Sequence, residues 1–145
     1  MTPLYLIDTS AWIFALGHQP VLEIRDRVRH LLDQNLAAVT SPILFELLSS
    51  TKTGHSSRQL QSYLLSLHPF PFLEEEWIKA ADWTRSLRKK GLSVKTMDAL
   101  IAYKAIQHNL IVLHADKDFD RIANKTSLKV ESCVETARKA TPKPD

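Results

Sequence analysis

One cysteine in 145 residues, Cys133, has no partner for an internal disulfide and cannot supply a multi-thiolate zinc site, which fits a reducing compartment. Three glycines, Gly17, Gly54 and Gly91, stand too far apart for a phosphate-cradling loop or a dinucleotide-binding fingerprint. The six histidines have no metal-ligand spacing, and His18, His30, His55, His68 and His108 read as surface or core residues. No Gly-x-Ser-x-Gly elbow occurs. No apolar run approaches the ~18 residues of a membrane span. The N-terminal apolar stretch lacks basic residues ahead of it and is broken by Asp8, unlike a signal peptide. The expectation is a cytoplasmic protein with no membrane partner.

A strong excess of either charge is missing too. The net charge is +3, but Arg138, Lys139 and Lys143 against Asp145 give the last ten residues +2 of it. The body is nearly neutral, so any basic surface must come from clustering. At 44% hydrophobic and 24% charged residues, the chain has the composition of a soluble globular protein. Its length suits one domain, expected over residues 1–135 with a flexible C-terminal tail over 136–145.

Against this unremarkable background, four acids are isolated. Asp8 is the only formal charge in the first 22 positions and follows Leu4-Tyr5-Leu6-Ile7. Glu46 is the only charge between Asp33 and Lys52, and Asp98 the only one between Lys95 and Lys104. Asp116 closes an uncharged stretch that begins after Lys104. A carboxylate next to a core is costly unless it is paired or binds a metal. No lone lysine or arginine is expected to be buried in a comparable way, so neutralisation is expected from outside the chain, most simply by a divalent cation.

The order of elements allows the four to converge. Leu4–Ile7 reads as a buried strand. A helix begins at Thr9-Ser10 and ends at Gly17, and an amphipathic helix covers about Val21 to Gln34. Ala37–Thr40 is a second strand. Ser41 as N-cap and Pro42 in the first turn open the helix that carries Glu46. A helix from about Ser57 to Leu67 precedes a strand over Phe70 to Leu73 between prolines. Glu74–Lys90, acidic at its start and basic at its end, stops at Gly91. Thr96 caps a helix to Gln107, and Leu110–Leu113 is a strand. A short helix follows Asp116, and Leu128–Glu131 is the last strand. Such alternation predicts an α/β sandwich around a mainly parallel sheet of four to five strands, whose ligands bind beyond the carboxyl ends of the strands. Asp8 and Asp116 lie just past two such ends.

Oxygen-only donors suit Mg²⁺ or Mn²⁺, which are held by a few carboxylates plus water and substrate phosphate. Such a cation lowers the pKa of water and stabilises charge on a phosphoryl oxygen, so the acids point to phosphoryl chemistry. Each acid also has a purely structural reading: Asp8 or Asp116 as a helix cap, Asp98 as a first-turn acid, Glu46 in a buried ion pair. Arg85, Arg88, Lys89 and Lys90 form either a solvated helix end or, with Lys95, a phosphate-contacting patch. Trp77, with Ala80, Ala81 and Thr84, is expected to face the core.

Four segments together resemble the PIN-domain ribonucleases, specifically the VapC toxins of toxin–antitoxin pairs. They are Leu6-Ile7-Asp8-Thr9-Ser10, the Glu46 segment, Gly91 to Ala102 around Asp98, and Asp116-Lys117-Asp118-Phe119-Asp120-Arg121-Ile122-Ala123. The resemblance implies a parallel-sheet PIN fold and an Mg²⁺- or Mn²⁺-dependent endoribonuclease acting on RNA. It also implies a homodimer and a small VapB-like antitoxin. On it, Asp8, Glu46, Asp98 and Asp116 are the catalytic acids, with Asp8, Asp98 and Asp116 holding metal and Glu46 holding or orienting water. Asp118 and Ser10 are supporting groups. His114 stands where the family usually has Thr or Ser, and its role as phosphate contact, support or structural residue stays open. Two other readings are weighed. One is a PIN-fold binding module without catalysis. The other is a haloacid-dehalogenase-like phosphatase with Asp8 as nucleophile, whose second Asp two residues on is replaced by Ser10.

Overall fold

The computed structural model describes residues 2–51 and 54–141. Five parallel strands form one sheet: β1 (Tyr5–Ile7), β2 (Ala37–Thr40), β3 (His68–Phe70), β4 (Ile111–His114) and β5 (Lys129–Ser132), in the order β3-β2-β1-β4-β5. The α/β architecture expected from the alternation is present, with the sheet wholly rather than mainly parallel. Among the described residues, eight helices connect and flank the strands: α1 (Thr9–Leu16), α2 (Leu22–Asp33), α3 (Ser41–Ser49), α4 (Gly54–Leu64), α5 (Glu74–Lys89), α6 (Thr96–Gln107), α7 (Lys117–Lys125) and α8 (Val134–Ala140). None of the described helices is long and apolar enough to cross a membrane.

The central strands are apolar because helices cover both faces of a parallel sheet. Leu6, Ile7, Val112 and Leu113 are fully buried, and β1 pairs with β4 in the register Leu6↔Val112 and Ile7↔Leu113. After β1 the chain moves outward to β2 and β3, then returns to place β4 on the other side. The β1–β4 boundary is therefore the topological switch point, where the crevice of an open α/β sheet lies. Asp8 N–H donates to Leu113 O at 2.9 Å, so the two strand ends are locked side by side there.

Several local expectations shift. The edge strand β3 includes Pro69, tolerable because an edge leaves one side of the strand without ladder bonds. Thr40, not Ser41, is the N-cap of α3. Its hydroxyl donates to Phe70 O at 2.6 Å, while Ser41 Oγ accepts from Phe72 N–H at 3.2 Å, so both hydroxyls tie β2 to the β3 exit. Lys95, not Thr96, is the N-cap of α6. Gly91 does end α5, in the left-handed conformation at φ 77°, where a side chain is disfavoured.

Three departures are larger. The boundary expected after residue 135 falls inside α8, and Ala137 is buried, so ordered helix reaches Ala140; residues 142–145 of the expected tail lie outside the described residues. Trp77 is 47% exposed rather than core-facing. Contrary to the expectation that no cation is buried, Lys104 on α6 is fully enclosed. Its ammonium pairs with Glu76 of α5, donates to Pro71 O at 3.0 Å and lies 4.5 Å from the Phe72 ring centroid.

Candidate metal centre

Beyond the carboxyl ends of β1 and β4 lies a cleft of about 350 Å³ lined by Asp8, Glu46, Asp98 and Asp116, with Lys95. All four isolated acids come together, each delivered by local structure. Asp8 is the N-cap of α1: its Oδ2 accepts from Ser10 N–H at 3.0 Å and Ser10 Oγ at 2.6 Å. Asp116 is the N-cap of α7, its Oδ1 accepting from Asp118 N–H at 2.9 Å. The structural readings of these two are thus true, and they fix the carboxylates at the cleft rather than excluding a role there. Asp98 sits in the first turn of α6 and is 7% exposed. Glu46, on α3, is half-buried with no ion pair among the described residues; Thr9 Oγ1 donates to its Oε1 at 2.9 Å.

Ser10 does more than engage the Asp8 cap. Its hydroxyl also accepts from Ala115 N–H at 2.9 Å, joining the turn after β1 to the turn after β4. His114 stands behind Asp116. Its Nδ1 accepts from Asp116 N–H at 3.2 Å, so the neutral ring carries its proton on Nε2, which faces Asp120 Oδ1 at 3.2 Å. That approach lies outside good hydrogen-bond geometry and is an electrostatic contact. Ser132 Oγ donates to the other Asp120 oxygen at 3.0 Å. Burial holds the His114 ring below the usual imidazole pKa, against the opposing pull of Asp120. His114 is therefore a fully buried support for the Asp116 turn, with no access to a phosphate in the cleft.

Neutralisation is incomplete. Burial, then the charges of Asp116 and Asp8, push Asp98 up to about 7, and burial also raises Asp8. Asp98 Oδ2 is enclosed without a hydrogen-bond partner among the described residues. Lys95, the one lysine lining the cleft among the described residues, is 74% exposed and lies 3.9 Å from Asp116 Oδ2, a weak solvent-screened pair. Carboxylate oxygens of Asp98, Asp116 and Asp118 lie within 4.8 Å of one another. This closest trio includes Asp118, expected only as a supporting acid, while Asp8 lines the cleft beside it. An oxygen-only cluster with one orphaned buried oxygen fits a hard divalent cation.

The basic candidates separate. Lys95 lines the acidic cleft, and Arg85 and Arg88 line a neighbouring groove that shares Thr96 with it. Lys89 and Lys90 line neither; Lys90 and Lys125 exchange ammonium-to-carbonyl hydrogen bonds at 3.3 and 3.0 Å. Thr9 and Asp120 were not singled out from sequence. Thr9 adjoins Asp8, and Asp120 carries the i+4 spacing from Asp116 that places both on one face of α7.

The PIN domain family matches residues 5–125. A VapC ribonuclease of Mycobacterium bovis is 34% identical over 134 residues, covering 88% of this chain and 97% of that protein. Ribonuclease VapC21 of Mycobacterium tuberculosis is 34% identical over 137 residues, covering 92% and 96%. The crystal structure of VapBC2 from Rickettsia felis bound to a promoter DNA fragment superposes with a TM-score of 0.69 at 26% identity, over 89% of this chain and 98% of that one. DNA-bound VapBC from Salmonella typhimurium gives 0.72 at 21% identity over 90% and 98%, a likeness of fold alone. With the parallel sheet, the acids at its switch point and these relatives in agreement, the chain belongs to the PIN-domain family and, within it, to the VapC ribonucleases.

Proposed function

We propose that this chain is the toxin of a toxin–antitoxin pair and cuts RNA as a divalent-metal-dependent endoribonuclease in the cytoplasm. The observation that carries the reading is the enclosed, unpartnered Asp98 oxygen within a carboxylate cluster at the β1–β4 switch point. Asp98, Asp116 and Asp118, with Asp8 beside them, would hold the Mg²⁺ or Mn²⁺, which would supply charge stabilisation at the phosphoryl oxygens and lower the pKa of water. Glu46, with Oε1 engaged by Thr9, has Oε2 left to accept a proton and would take it from the attacking water. Ser10 fixes Asp8, and His114 fixes the Asp116 turn. Lys95 contacts substrate phosphate, offsetting the repulsion between an RNA backbone and the acids.

A phosphatase using Asp8 as nucleophile is disfavoured, because the Ser10 hydroxyl and amide both engage the same Asp8 oxygen. A small antitoxin would neutralise the site by placing a basic side chain among the carboxylates, and the toxin would act as a homodimer. The direct test is cleavage of structured RNA in Mg²⁺ or Mn²⁺, with and without chelator, by wild type and Asp8→Ala. Loss of cleavage in chelator and in the variant is expected. Full activity in either defeats the reading.

A further inference from the structure

Beside the acidic cleft lies a second groove of about 360 Å³ between α5 and the start of α6. Trp77, Ala81, Arg85 and Arg88 form one wall at helical spacing, with tryptophan at one end and guanidiniums at the other. Val94 and Leu100 contribute the apolar side opposite. Thr96 lines both this groove and the acidic cleft, so the two meet at the first turn of α6.

We propose that this groove is a subsite for one unpaired nucleotide of single-stranded RNA, flanking the phosphate to be cut. Trp77 and the apolar wall receive the base, and Arg88, aided by Arg85, receives a phosphate. The proposal rests on the endoribonuclease reading and adds where its substrate is held.

Four observations favour RNA as the occupant. The acidic cleft repels a phosphodiester, and Lys95 is its one cation among the described residues, so a nucleic acid needs anchoring nearby; the guanidiniums of the adjoining groove supply it. Arg88 has no carboxylate partner among the described residues, whereas Arg85 pairs with Asp82. The Thr84 hydroxyl spends its one hydrogen on Ala80 O at 2.8 Å, and the donors lining the groove are the two guanidiniums, which suit phosphate and base acceptors. Trp77, tilted against Phe72 with centroids 4.9 Å apart, is half exposed, and single-stranded RNA is recognised by stacking splayed bases on aromatic rings. The volume is at the low end of small-ligand pockets, roughly 300–1,000 Å³, enough for one nucleotide but not a duplex.

The test is fluorescence anisotropy of a labelled eight-nucleotide single-stranded RNA in EDTA, which reads binding without cleavage. It is paired with ultraviolet crosslinking of the same RNA carrying 4-thiouridine. Trp77→Ala is expected to weaken binding about tenfold, within the range for loss of one base stack, and Trp77→Phe to restore most of it. Arg88→Gln is expected to weaken binding and to lower the log–log salt slope by about one. The crosslinked peptide should contain Trp77. Binding within twofold of wild type in both Trp77→Ala and Arg88→Gln, or crosslinks confined to other peptides, overturns the proposal. So does equal displacement of the RNA by polyglutamate, which would mark a general acidic-ligand surface. Wild type that binds as described but cuts nothing with Mn²⁺ defeats the nuclease reading alone. Cleavage with an unchanged KM in Trp77→Ala defeats the subsite alone.

Discussion

Two regions of this molecule bury charge, and they settle the cost differently. Between α5 and α6, Lys104 is fully enclosed, but Glu76, the Pro71 carbonyl and the Phe72 ring surround its ammonium. Hydrogen bonding and the charge of Lys104 hold Glu76 below its ordinary pKa. At the ends of β1 and β4, Asp98 is nearly as enclosed, but its neighbours are further carboxylates, and one of its oxygens has no partner. The first region is satisfied from within and is structural. The second is satisfied only by something that binds. Burial of a charge therefore says little about function; the missing partner does.

The sharpest way to test the contrast is to remove one charge from each region. Asp98→Asn should abolish metal-dependent RNA cleavage, by at least about a hundredfold, the upper end of what losing a mere support to a metal ligand costs. It should not destabilise the metal-free fold. Glu76→Gln should do the reverse. Leaving Lys104 buried without its counter-ion should cost about 3 kcal/mol, or roughly 10 °C of melting temperature, with the activity of the remaining folded molecules retained. The double change Glu76→Leu with Lys104→Met should recover most of that loss. If Glu76→Gln unfolds nothing and Asp98→Asn does, the assignment of structural and functional charge is inverted.

Lys104 also marks where sequence reading stopped short. It is the only charge between Asp98 and Asp116, the same isolation that drew attention to the four acids. What hid it was its partner, Glu76, one of three glutamates in an α5 first turn that reads as ordinary helix-dipole chemistry. The strands, their parallel arrangement and the convergence of Asp8, Glu46, Asp98 and Asp116 were legible because apolar runs ending in lone acids carry a local signal. Trp77 was misplaced because Ala80 and Ala81 suggested a buried face, yet α5 turns Ala80 inward and leaves Trp77 beside the α6 groove. The role of His114 was illegible for another reason. It depends on Asp120 in the first turn of α7 and on Ser132 of β5, contacts that only the fold creates.

That support can be probed at smaller amplitude. His114→Ala removes the acceptor for Asp116 N–H and the Nε2–H that faces Asp120, so Mn²⁺ affinity should fall about tenfold, the low end for lost support behind a metal ligand. Titration calorimetry of the RNA-free protein reads this directly. Affinity within twofold of wild type would leave His114 as packing only.

The pH dependence gives the smallest but most discriminating signal. In the folded, metal-free protein Asp98 titrates near 7, whereas a carboxyl of this type in an unfolded chain titrates near 3.8. Between those values the folded state holds a proton that the unfolded chain has released, so Asp98 makes stability fall as pH rises. Asp8, also raised, has the same sign. His114, lowered by burial, has the opposite sign: below the ordinary imidazole value the unfolded chain takes up a proton that the folded one refuses, so stability rises with pH there. Comparing wild type with Asp98→Asn cancels the His114 contribution to first order. The variant should match wild type near pH 4 and exceed it increasingly toward pH 8, by roughly 5 °C, the size of a 1 to 2 kcal/mol change in a domain of this length. Mn²⁺ should reverse the order, because binding needs the ionised Asp98 and stabilises only the wild type. A constant offset between the two proteins from pH 4 to 8 would mean that Asp98 is paired in solution, and the contrast with Lys104 would disappear.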